Sequence, residues 1–105
     1  MLGFFQVQPV TELSYRLVEE VVWRSLDGTL HAVYSPLSGE TLLLNNSAIW
    51  VLEVLAEPGW HDPQDVVRQI ANEAETSERE VQDTLGDVWT TLLGGGLLRR
   101  QRAAA

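Results

Sequence analysis

The sequence has no cysteine and no lysine, its one methionine is at position 1, and no apolar run nears the roughly 20 residues that cross a bilayer. Without cysteine there are no disulfides, thiolate metal sites or thiol nucleophiles. Without lysine, all 7 positive charges are arginines, set against 15 acidic side chains, for a formal net charge of -8. Such an acidic surface repels nucleic acid and anionic lipid, so neither is expected as a partner. The one basic cluster, Arg99, Arg100 and Arg102, falls in a short stretch that reads as a solvated, flexible tail over 99–105. Residues 1–20 lack a positively charged start followed by an apolar stretch, so they do not read as a secretory signal, and a cytoplasmic location is expected.

Catalytic signals are equally sparse. His31 and His61 lie in different segments, and neither has a companion at metal-ligand spacing. A Ser-His-Asp set can be drawn from almost any chain of this composition and carries no weight. The run Gly94-Gly95-Gly96 follows a helical segment, where helix ends favour glycine, and does not precede one as a phosphate loop would. No enzyme activity, metal or cofactor is therefore expected.

What is present suits one globular domain: 105 residues, 45% of them hydrophobic. Residues 1–20 hold scattered apolar side chains around Pro9 and read as an arm or a short extra strand. Residues 21–26 are rich in strand formers, and Asp27-Gly28 is a hairpin turn signal. Residues 30–34 alternate, with Leu30, Ala32 and Tyr34 on one face and His31 and Val33 on the other. Pro36-Leu37-Ser38-Gly39 marks a second turn, and Glu40, Thr41, Leu42, Leu43, Leu44 and Asn45 form a third strand. Asn45, Asn46 and Ser47 offer caps for a helix over about 47–56, ended by Pro58-Gly59. Asp62 caps a second helix with Pro63 at its first position. Ser77 and Glu80 have capping-box spacing and open a third helix reaching about Leu93, after which Leu97 and Leu98 fold back onto the core. The expected fold is α+β: a three-stranded antiparallel meander followed by three helices.

Within this order, Glu40–Leu55 reads ETLLLNNSAIWVLEVL: a strand ending in Leu-Asn, then a helix that starts with small residues and continues Ile-Trp-x-Leu. Trp23-Arg24, the Ser38-Gly39 turn, Leu92-Leu93 and Gly96-Leu97-Leu98 surround it. Together these resemble the PqqD-like peptide chaperones (RiPP recognition elements) over residues 21–98. TLHAVYSPLSGETLLLNN is most similar to the subgroup found beside an HPr-kinase-related protein. The resemblance implies a winged-helix-like fold and a non-catalytic function. Such a domain captures the leader segment of a ribosomally made precursor peptide and presents it to a modifying enzyme. The leader docks as an added strand on the third strand, in the cleft beside the third helix.

The residues give this docking a physical basis. An edge strand offers unpaired backbone groups, and Leu42-Leu43-Leu44 makes both of its faces apolar. Any one of these leucines taken alone is a normal core residue. On the third helix, Val81, Leu85, Val88 and Leu92 form the core stripe, while Gln82, Gly86, Trp89 and Leu93 lie on a flank. Gly86 there has two readings, a notch for a peptide side chain or a point of close packing. Trp50 shares a face with Asn46, Glu53 and Glu57, where it either meets a partner or lies under the arm. The expected partners are thus a precursor peptide and a modifying enzyme. The alternative is an interaction subunit binding a folded HPr-kinase-related or transferase-like protein without a peptide client. A winged-helix DNA-binding regulator is a third class, opposed by the charge. An exposed edge also permits homodimerisation by strand exchange.

Overall fold

The computed structural model describes residues 13–102 and shows an α+β fold with four helices and a three-stranded antiparallel sheet. The elements in order are β1 (Leu13–Leu17), β2 (Val22–Ser25), β3 (Leu30–Ser35), β4 (Glu40–Asn45), α1 (Asn46–Leu55), α2 (Pro63–Ala74), α3 (Glu78–Thr84), α4 (Val88–Gly94) and β5 (Leu98–Arg102). The expected arm over 1–20 therefore holds a strand at its end, and its first twelve residues lie outside those described.

The meander is ordered β2-β3-β4. Its first turn is fixed by the Asp27 carboxylate, which accepts from the backbone N–H of Thr29 (2.7 Å) and of Leu30 (2.9 Å). These bonds, with that from the Thr29 hydroxyl third, hold the Asp27 carboxyl below its ordinary range. The second turn closes through the Gly39 N–H to the Ser35 carbonyl at 2.8 Å, with Gly39 at φ +75°, which a residue bearing a Cβ adopts only at a cost. Val33, Ser35 and Leu44 face the helices and are buried.

The chain passes from β4 into α1 without a loop, because the Asn45 side chain already caps the helix by accepting from Ala48 N–H at 3.0 Å. α1 is the central element: Ala48, Ile49, Val51, Leu52, Val54 and Leu55 are all buried. Asp62 caps α2 through Gln64 N–H (2.7 Å), and Ser77 caps α3 through Glu80 N–H (3.1 Å).

Two expectations are corrected. The third helix is two helices, making four among the described residues. At Leu85–Asp87 the hydrogen bonding shortens to i to i−3, Gly86 N–H to the Asp83 carbonyl (3.4 Å) and Val88 N–H to the Leu85 carbonyl (3.0 Å). The glycine supplies too little helix propensity to hold the longer pattern, and α4 restarts after Asp87. Second, residues 99–102 of the expected tail continue β5, which pairs antiparallel with β1 from Leu17↔Leu98 to Leu13↔Arg102. Leu97 and Leu98 are buried as expected, and they anchor the ribbon to the core. Glu19 clamps it further, accepting from Arg16 and from Arg99 (3.1 Å). Arg99 is thus an ion-pair partner and not a free tail charge.

Candidate functional site

The candidate site is built around β4. Among the described residues it pairs on one side only, with β3. In an antiparallel ladder alternate residues aim their N–H and C=O groups outward, so the other side of β4 presents backbone donors and acceptors. The three consecutive leucines divide between the faces. Leu44 is buried, Leu42 is half-buried against α4, and Leu43 is 62% exposed on the outer face.

Beside this edge lies a cleft of about 350 Å3, between β4 and the turn that joins α3 to α4. Leu43, Leu44 and Asn45 form one wall, Gly86, Asp87 and Val88 the other. The local sequence explains the opening. Gly86 has no side chain, and a Cβ placed there would meet only the Asp83 carbonyl at 3.5 Å and the Gln82 carbonyl at 3.9 Å. The glycine therefore leaves a notch and is not forced by contact with another element.

Three of the four residues singled out on the helix flank stay together. Gln82, Gly86 and Trp89 line a depression with Pro63, Gln64, Val67 and Leu85, on the α2 side. Trp89 packs on Tyr15 of β1, with ring centroids 5.1 Å apart, and Leu93 packs against the core. Of these four only Gly86 reaches the β4 cleft. On the strand, Thr41 and Leu42 are not in its lining: Thr41 lies on the outer sheet face, and Leu42 packs over Gly95. Glu40 sits at the exposed start of β4, outside the lining. Asp83, Thr84, Asp87 and Thr91 also line the cleft without any sequence signal of their own, and Val88, read as part of the core stripe, packs against the core and reaches the cleft as well. The glycine at the break is the one signal that bears on them.

A second cavity, of about 310 Å3, opens between α1, α2 and α3. Thr84 lines it as well as the β4 cleft, and Ser47 of the cavity adjoins Ala48 of the cleft on α1. Trp50 forms part of its wall and donates its indole N–H to Glu73 at 3.0 Å.

The histidines serve structural bonds. His31 Nε2 lies 2.6 Å from the Asn46 side-chain oxygen, tying β3 to α1, and His61 Nε2 lies 2.8 Å from the Glu57 carbonyl. Among the described residues no cluster of three or more acidic or histidine side chains is placed to hold a metal ion, and no helix is long and apolar enough to cross a membrane. Comparison with protein-family models, with curated proteins and with solved structures finds no match to this chain.

Proposed function

We propose that this chain is a non-catalytic peptide-binding domain of the PqqD-like kind, which captures a precursor peptide by strand addition and presents it to a modifying enzyme. The observation that carries the reading is the one-sided pairing of β4 among the described residues, next to a cleft of mixed lining, with Leu43, Leu44, Ala48 and Val88 beside Asp83 and Asp87, and a glycine notch. Backbone pairing along β4 supplies affinity that is blind to sequence, and the cleft selects the inward-facing side chains. In this reading the fold is winged-helix-like, with the meander as the sheet on which the peptide is added.

The test is titration of 15N-labelled protein with the leader segment of a precursor peptide encoded beside it. Binding is expected at micromolar or tighter affinity, with amide shifts along β4 and around Gly86–Val88. Gly86→Leu, at an exposed position where a Cβ meets no atom closer than 3.5 Å, is expected to fill the notch and weaken binding while the protein stays folded. Shifts confined to other elements contradict the proposal.

A second reading draws on the outer face of the meander. There Val22 (60% exposed), Tyr34 (41%) and Leu43 form an apolar surface around Ala32. Apolar side chains on one open face favour a folded partner, such as an HPr-kinase-related or transferase-like protein. Co-purification with that partner in the absence of any peptide, lost on Tyr34→Glu, favours this reading over the first.

A further inference from the structure

The cavity between α1, α2 and α3 combines features that neither the core nor the β4 cleft explains. Its walls are apolar, with Trp50, Ile70, Val81 and Leu85. Its rim carries Glu80, and Glu73 is bonded to the Trp50 indole. Both carboxylates are held by neutral donors: Glu80 accepts from the Thr76 hydroxyl, and Glu73 from Trp50 and from the Gln69 amide at 3.4 Å. The ion pairs among the described residues engage Glu19, Asp65 and Glu78, and none engages Glu73 or Glu80. An aromatic wall and an apolar floor, with the Glu80 carboxylate in the lining and Glu73 bonded to the indole of the wall, complement one kind of side chain, a long aliphatic stem ending in a cation.

We infer that this cavity seats an arginine or lysine side chain of the peptide whose backbone pairs with β4. The identity of the donor rests on the peptide-binding reading above, while the chemistry of the cavity stands apart from it. Thr84 borders both spaces, so a peptide leaving the β4 edge near Asn45 runs past Ser47 and Ala48 to the cavity mouth. The client is therefore a cationic peptide. Its paired stretch borders the cleft, and one basic residue beyond that stretch lies along Trp50 with its head at Glu73 and Glu80. Asp83 and Asp87 in the cleft lining add to the same preference.

The experiment uses the full 15N-labelled chain and short synthetic peptides of alternating valine and threonine. One arginine is moved through every position, and matched peptides carry citrulline, its neutral isostere, at the same places. The free probe is N-acetyl-arginine methylamide. At one position the arginine peptide is expected to bind about tenfold tighter than its citrulline counterpart, the size of one charge-assisted hydrogen bond at a partly exposed site. It is also expected to move the Trp50 indole N–H resonance. Glu80→Gln and Glu73→Gln keep the shape of the cavity and are expected to erase the difference. If β4 amides shift but arginine and citrulline peptides bind alike, the cation site is overturned and the peptide-binding reading stands. If no peptide shifts β4 while the free arginine probe moves the Trp50 indole in the wild type and not in Glu80→Gln, the site stands and the strand-addition reading falls. β4 amides that shift on dilution of the protein alone assign the edge to a second copy and overturn the client.

Discussion

Single side chains fix the two margins of the meander. Ser35 is the one buried polar residue of the described core, and its hydroxyl both donates to the Gly96 carbonyl (3.0 Å) and accepts from Ser38 N–H (3.3 Å). It therefore ties β3 to the β3–β4 turn and to the α4–β5 junction. Ser35→Ala leaves both backbone groups short of a partner at a part-buried site. A loss of about 1–3 kcal/mol is expected in urea unfolding, and an unchanged midpoint would contradict this role. Gly86 predicts the opposite behaviour. A Cβ there meets nothing closer than 3.5 Å, and its φ is not positive, so Gly86→Ala is expected to raise stability by about 0.4–1 kcal/mol by restricting the unfolded chain. Glu19 gives the pH dependence. Its own backbone N–H first, then Arg16 and Arg99, lower its pKa from 4.5 to about 2. The folded carboxylate thus holds its charge where the unfolded one has taken a proton. Its contribution is complete above about pH 4.5 and is lost as the pH falls toward 2. Urea midpoints of the wild type and Glu19→Gln should differ at neutral pH and converge near pH 2. A gap that persists at pH 2 would argue for a packing effect instead.

At the scale of elements, what was legible in the sequence is what local chemistry decides. Asp27-Gly28 and Pro36-Leu37-Ser38-Gly39 gave the turns, and Asn45, Asp62 and Ser77 gave the helix starts. The meander and its edge strand followed from them, with β4 at the bounds the pattern indicates. Two features were hidden for physical reasons. Leu-Arg-Arg-Gln-Arg carries no strand pattern of its own and forms β5 only because β1, some eighty residues earlier, supplies the pairing. The break at Gly86 is a contest between a weak helix former and the packing on either side, which periodicity alone does not resolve. One continuous helix places Gln82, Gly86, Trp89 and Leu93 on one flank. The first three do share a depression, with Trp89 packed on Tyr15, while Leu93 packs against the core and the break brings Asp87 and Val88 to the β4 cleft. The β1–β5 ribbon is a unit apart from the meander, since the two sheets share no strand. Removing residues 99–105 is expected to expose the β1 amides that face β5 to hydrogen exchange, while the Tyr15 amide, bonded to the His61 carbonyl, and the β3 amides keep their protection. Loss of protection in β3 as well would mean that the ribbon and meander unfold together.

For the whole molecule, charge decides which of two opposing salt effects wins. Seven arginines face fifteen carboxylates, and the ion pairs formed by Arg16, Arg68 and Arg99 are at the surface with partly exposed side chains. Exposed pairs contribute about 0–1 kcal/mol each, and salt weakens them. The unmatched negative charge repels itself over the entire surface, and salt weakens that as well, once the screening length falls to about 8 Å near physiological strength. With a net charge of -8 the repulsion outweighs the few attractive pairs, so sodium chloride is expected to raise the urea midpoint. A falling midpoint would show that the local pairs dominate. The same field governs encounter with a cationic peptide, but with the opposite sign: it draws the peptide in, and screening removes that steering. Stability should therefore rise with salt while the association rate for an arginine-bearing peptide falls. The citrulline peptide's rate should hardly change. Stopped-flow mixing across a salt series reads the rates, and equal salt slopes for the two peptides would leave the acidic surface as a device for solubility alone.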